Sequence, residues 1–355
     1  WLQKDLPDVK GNAKFRVNLG SDGLGISWSG ARFDVEGGEF VGSGVFNQSQ
    51  GGDAFLEDVS IEVSEFPLSF LTEYFSWIPN LERKIDGSLD LSGSIDSLQI
   101  KGNVVLLDPE SEPWSARFYP GPTNLEIEGL FHLRESIGVT DLRIQSTPID
   151  LNLINRLSGG MPMAGTVTFD FRADGHLDEG LHFSLDAIHN DLDFEESRIS
   201  VEGNLEGMGR EDFSLSLDGS LGLFSINGFF GEELPIPQLG VLQGTIHAEG
   251  SLSALAMNAD LVTDGGDLRI EGRFDVRSPL KSYRVLGETH NFNAIGLFPD
   301  LPIGTVLSGS LDFSGSGWDL KTADISGRVQ LGSSSFANLE ADTTVVEIRI
   351  SEGIL

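Results

Sequence analysis

Apolar and polar side chains alternate along most of this chain. Phe15, Val17 and Leu19 open the pattern, Leu24, Ile26 and Trp28 follow, and Val59, Ile61 and Val63 continue it. It recurs at Leu125, Ile127, Phe131 and Leu133, at Ile199, Val201 and Leu205, at Phe213, Leu215 and Leu217, and at Val346, Ile348 and Ile350. Successive side chains of a strand point to opposite faces, so each run predicts a strand with one apolar and one wet face. Antiparallel pairing with one solvated face follows. The 44 Gly and 14 Pro, with frequent Ser, Asn and Asp, put turns between these runs. Glycine also stands in the apolar phase at Gly129, Gly203 and Gly272. A bulge or bend is expected there, letting a wide sheet curl.

A repeat underlies the alternation. GSLDLSG from Gly87, GTVTFDF from Gly165, GTIHAEG from Gly244 and GSLDFSG from Gly309 share one pattern, and the anchoring glycines are 78, 79 and 65 residues apart. Eleven residues after the anchor stands Leu98, Leu255 or Leu320, with Leu177 displaced by one in the second copy. Each interval holds roughly five to seven strands. The repeats run over 1–79, 80–158, 159–240, 241–304 and, in part, 305–355.

Ahead of three anchors the period changes to that of a helix. Phe70, Leu71, Tyr74, Phe75 and Ile78 form a helical stripe behind Pro67. A shorter stretch runs from Pro148 through Leu153, Ile154 and Leu157 to Gly159, and one or two turns are expected from Phe292 to Phe298. Ahead of Gly244 the segment 234–240 (LPIPQLG) reads as an extended crossover.

Charge narrows the partners. Lys plus Arg total 23 against 55 Asp plus Glu, a formal net charge of −32, and such a field repels nucleic acid and anionic membrane surfaces. The acids are spread through the alternation, as on the wet face of a sheet. With no Cys in the chain, disulfides, thiol nucleophiles and thiolate metal sites are excluded, and the redox compartment stays open. No run reaches the roughly 18 apolar residues of a membrane span. The chain starts at Trp1 without a signal-like region and stops just after a strand-like run, so an excerpt or processed part of a longer protein is expected.

Catalytic motifs are missing. There is no Gly-x-Ser-x-Gly elbow, no P-loop and no dinucleotide-binding Gly-x-Gly-x-x-Gly. The six His are scattered, and His182 and His189 are seven residues apart, outside zinc-ligand spacing. The acidic run 190–196 (NDLDFEE) lacks the glycine and ligand order of an EF-hand loop. No pair of carboxylates stands on an identifiable cleft. Trp28, Trp77, Trp114 and Trp318 are read as edge packing, not sugar platforms. Neither enzyme activity nor a cofactor nor a metal is expected.

A sheet with one continuous apolar face must pair with a second sheet, close into a barrel or hold something apolar. Few covering elements are legible, and about 24 strands side by side would span on the order of 115 Å, a channel more than a core. In the first two copies the candidate lining residues are Leu89, Leu91 and Ile95, then Val167, Phe169 and Phe171. Leu215, Leu217, Ile246, Leu268, Ile270 and Phe274 continue the lining, and Leu311 and Phe313 close it. The competing reading of the same residues is an ordinary core in which side chains touch only one another.

The repeated unit, as in LPIGTVLSGSLDFSGSG at 301–317 and IDGSLDLSGSIDSL at 85–98, resembles the AsmA-like family of double-membraned bacteria, of the TamB and YhdP type. The resemblance spans roughly residues 59–331 and rests on Gly, Leu and alternation. It implies an all-β fold, with a long, curved, mostly antiparallel sheet forming an open U-shaped groove and a few short helical connectors between repeats. It also implies a periplasmic segment of an inner-membrane-anchored protein. The function implied is bridge-like lipid transfer, in which phospholipid acyl chains pass between inner and outer membranes along the groove. Two alternatives stand beside it. One is assembly of outer-membrane β-barrel proteins by edge-strand templating; the other is a structural or adhesin-like β-repeat protein.

Overall fold

The computed structural model describes residues 10–21, 23–35, 37–69, 84–94, 96–107, 122–133, 136–151, 163–191, 194–207, 213–230, 240–277, 281–293, 305–317, 324–336 and 339–351. The chain divides into two units, one comprising Trp1–Gly159 with Thr166–Leu177 and the other Gly160–Gly165 with Asp178–Leu355. Both adopt the expected all-β, open, antiparallel architecture.

The first unit opens with β1 (Lys10–Gly20), β2 (Gly23–Val35), β3 (Gly38–Ser49), β4 (Ala54–Pro67) and β5 (Lys84–Ser94). It continues through β6 (Ser97–Leu107), β7 (Thr123–His132), β8 (Gly138–Ser146), the two-residue β9 (Ile149–Asp150) and β10 (Thr166–His176). Each strand from β1 to β8 pairs antiparallel with the next, and β10 pairs with both β8 and β9.

The second unit contains β11 (Gly180–Asn190), β12 (Ser197–Glu206), β13 (Ser214–Ser225), β14 (Val241–Ser251), β15 (Ala254–Thr263), β16 (Gly266–Asp275) and β17 (Ser282–Asn293). Then come β18 (Thr305–Ser316), β19 (Asp324–Leu331), the short β20 (Ser334–Phe336) and β21 (Leu339–Ala341), and β22 (Thr344–Ser351). The order is a meander from β11 to β19 that ends on β22, with the β20–β21 hairpin set against the start of β18. A short helix, α1 (Ile226–Phe230), follows β13.

The repeat legible in the sequence has a structural counterpart. Gly87, Gly244 and Gly309 sit opposite Val104, Leu261 and Leu331 of the next strand. A Cβ on any of these glycines would lie about 3 Å from the facing Cα, at 3.1, 2.9 and 3.1 Å respectively. No side chain fits so close an approach of two backbones, which is why the pattern begins on glycine.

On the other side of each anchor the preceding strand carries a bulge. The register shifts between Val63 and Phe66, between Leu221 and Phe224, and between Thr289 and Phe292. In each gap one residue turns left-handed: Glu65 at φ 48°, Leu223 at φ 49° and Asn291 at φ 53°. The extra residue flips the alternation, so Phe66, Phe224 and Phe292 rejoin the apolar face opposite Ile85, Leu242 and Leu307.

Two expectations are corrected. Gly203 and Gly272 lie in unbroken register and are not bulges; only Gly129 adjoins a shift, between Glu128 and Leu130. Phe292 and Asn293, expected to begin a helical connector, end β17 as partners of Leu307 and Val306, because the bulge restores their strand phase. In the third copy α1 is a helix not expected from the sequence, while the crossover expected at 234–240 lies outside the described residues except for Gly240. Residues 70–83, 152–162, 231–239 and 294–304 lie outside the described residues, and with them most of the connector expectations.

α1 is held by a buried polar network. Ser225 caps it, its Oγ accepting from Gly228 N at 3.1 Å, while Ser225 N donates to Oγ of the fully buried Ser197 at 2.8 Å. At the other end Ala164 N donates to Phe229 O at 2.8 Å. Ala164 O accepts from Nε2 of His189, which is itself fully buried and lies edge-on to Phe229.

Candidate functional site

In the second unit the apolar phase forms continuous rows, because residues directly opposed across an antiparallel ladder share a face. One row passes through Leu185, Val201, Gly219, Ile246, Ala259, Ile270, Gly287, Leu311, Val329 and Val346, one from each of ten successive strands. Three parallel rows flank it, starting at Leu181, Phe183 and Ala187. Across the four rows every position is apolar or glycine except Tyr283, Thr289 and Thr344. Rows two residues apart make the stripe about 20 Å wide, and ten strands make it about 43 Å long.

Glycines in these rows are sockets for neighbouring side chains. A Cβ at Gly203 would fall 2.9 Å from Phe183 Cζ, and one at Gly287 would fall 2.8 Å from Leu311 Cγ. The Phe313 ring lies across Gly327 in the same way. Large side chains therefore lie down along the sheet instead of standing up from it, which makes a low floor.

The structure places the sequence-derived candidates on this kind of face in both units. In the first, Leu89 and Phe171 belong to one row, Ile61–Leu89–Gly102–Ile127–Ile144–Phe171. Leu91 lies in the adjacent row between Val59 and Ile100. Val167 faces Ile149, and Phe169 shares its phase, with its N–H bonded to Ser146 Oγ at 2.9 Å. In the second, Leu215, Leu217, Ile246, Leu268, Ile270, Phe274, Leu311 and Phe313 all fall in the four rows. Ile95 lies outside the described residues. Val167 is buried; every other described candidate is half-buried. Phe183, Leu185, Val285 and Val329 share the floor and were not singled out from sequence, although the register identifies them at once.

Titratable groups concentrate on the opposite face. Arg284 grips Asp312 through Nε and Nη2 at 3.1 and 2.8 Å, and Arg143 grips Asp170 at 3.2 and 2.6 Å. Each hydrogen-bonded guanidinium holds its carboxyl below the usual range. His247 is raised by its 2.7 Å bond to Asp218. On the floor, Tyr283 is pushed up by burial. Among the described residues no three His, Cys, Asp or Glu side chains stand together as metal ligands, and no helix is long and apolar enough to cross a membrane. Of the four tryptophans weighed as stacking platforms, Trp28 lies across from Phe15 and packs towards Gly44; the other three fall outside the described residues.

Comparison with protein-family models, with curated proteins and with solved structures returns no match.

Proposed function

We propose that the chain is a non-enzymatic conduit for phospholipid, carrying acyl chains on the apolar floor while head groups stay in water. The observation behind this reading is the four-row stripe in the second unit. Apart from Tyr283, Thr289 and Thr344 it is apolar or glycine along ten strands, and most of its larger side chains are half-buried. Burying acyl chain stabilises by about 0.8 kcal/mol per CH₂, so two chains are held firmly. A floor of interchangeable Leu, Ile, Val, Phe and Gly offers no deep local well, so the chains slide. Acid–base chemistry has no part in this, and the charged pairs serve the wet face.

The resemblance to the AsmA-like family supplies donor and acceptor: the inner and outer membranes, with the chain in the periplasm. Phospholipid should then co-purify with the protein and appear on extraction and mass spectrometry. Phe313→Asp or Phe169→Asp should cut transfer of a fluorescent phospholipid between vesicles by about tenfold, the effect of roughly 1–2 kcal/mol of mismatch, with the circular dichroism spectrum unchanged. Lipid-free protein with undiminished transfer in both variants would overturn the reading.

A further inference from the structure

Among the described residues two pairs of arginines stand directly opposed across a ladder on the wet face, a placement that costs stability unless an anion neutralises it. In the first unit Arg143 faces Arg172. Asp170 answers both, its Oδ2 accepting from Nη2 of Arg143 at 2.6 Å and from Nη2 of Arg172 at 3.3 Å. In the second unit Arg273 faces Arg284 and no carboxylate bridges them. Arg284 is bonded to Asp312 on its far side, and Arg273 makes no ion pair or side-chain hydrogen bond among the described residues. Ala256 stands on the other flank of Arg273. The acids two residues away on its own strand are directed elsewhere: Glu271 lies 3.8 Å from Arg269, and Asp275 accepts from Arg277 N at 3.1 Å.

A depression of about 460 Å³ opens beside this second pair, lined by Arg273 and Arg284 together with Ser253, Ala256, Asp275 and Ser282. We propose that Arg273 and Arg284 bind a phosphate group there, in the bridging role that Asp170 fills in the first unit. Guanidinium forks match phosphate oxygens in geometry and charge. A carboxylate offers two oxygens, and two guanidiniums use both. A phosphate keeps further oxygens for the hydroxyls of Ser253 and Ser282. In a chain of net charge −32 an anion is held only where opposite charge is concentrated, and an opposed arginine pair without a shared carboxylate supplies that. Free phosphate and a phospholipid head group carry the same chemistry, and the test separates them. The site stands whether or not the floor carries acyl chains.

The test titrates the full chain, by isothermal calorimetry, with inorganic phosphate and with glycerophosphoglycerol, a lipid head group without acyl chains. Arg273→Gln should weaken binding of the tighter probe by about tenfold or more, the loss expected of a charge-assisted contact. Arg172→Gln, at the pair that Asp170 already serves, should leave it unchanged. Tighter binding of glycerophosphoglycerol assigns the site to a head group; equal or tighter binding of inorganic phosphate assigns it to the free ion. Arg273 is exposed and faces a like charge, so R273Q should unfold at no lower denaturant concentration than the parent. Failure of both probes to bind the parent, binding unchanged in R273Q, or an equal loss in R172Q overturns the proposal. So does a destabilised R273Q, which would show that this guanidinium already has a partner in the fold.

Discussion

Phe292 and Phe313 lie on neighbouring strands and on the same apolar face, yet Phe292 is 5% exposed and Phe313 is half-buried. The difference is position. Phe292 sits past the bulge, at the rim where β17 ends; Phe313 sits mid-floor over Gly327. In the first unit Phe66, at 7%, occupies the corresponding place, while Phe224, past the third bulge, is half-buried. In the second unit Leu242 and the adjoining floor residues Ala259 and Leu261 form a buried cluster that gathers Ile226 of α1 onto the sheet. α1 thus adds a second layer of contacts at that end of the sheet. Most of the larger floor side chains are half-buried.

Substitutions should separate the two regions. The largest effect is expected for Phe292→Ala, about 3–5 kcal/mol lost in denaturant unfolding. Phe313→Ala should cost less than half as much while impairing lipid transfer; equal costs would erase the distinction between rim and floor.

Next in size is Ser197→Ala. Removing the acceptor strands the buried N–H of Ser225 and should cost about 1–3 kcal/mol, measured by the same unfolding assay.

A pH effect should follow from His189. Burial lowers its pKa, against smaller opposing contributions from the Ala164 hydrogen bond and from Asp191. Its Nδ1 has no partner for a second proton. Below about pH 6.5 the unfolded chain takes up the proton first, so the stability contributed by neutral His189 is present above that pH. It is lost as pH falls towards the depressed folded value, by at most about 1.4 kcal/mol per pH unit. His189→Phe should flatten thermal unfolding curves across that window, and an unchanged slope would remove His189 from the rim's account.

The smallest change is expected at the bulge. Leu223 holds φ 49° with an exposed side chain, and Leu223→Asn should stabilise by up to about 1 kcal/mol. A loss would mean that the leucine side chain contributes contacts worth more than the backbone strain.

Floor residues were legible from sequence because strict alternation survives wherever the register is unbroken, as from Leu268 to Phe274 in β16. The rim was not. At Val63 to Phe66, Leu221 to Phe224 and Thr289 to Phe292 an inserted residue breaks the period, so period-two reading assigns each phenylalanine to the wet face or, at Phe292, to a helix. The recurrent apolar-or-Thr, x, x, Phe spacing ahead of the glycine anchors was the available signal. The apolar-phase glycines misled differently. Glycine in a strand fits a bend or a close neighbour equally well, and only the register shows Phe183 over Gly203.

The floor's role is tested most directly by placing a photo-crosslinking amino acid at Phe313 and, in a second protein, at the adjacent Ser314 on the wet face. Irradiation in the presence of phospholipid vesicles should yield lipid adducts from position 313 and none from 314. Adducts from both positions alike, or from neither, would contradict a lipid-bearing floor.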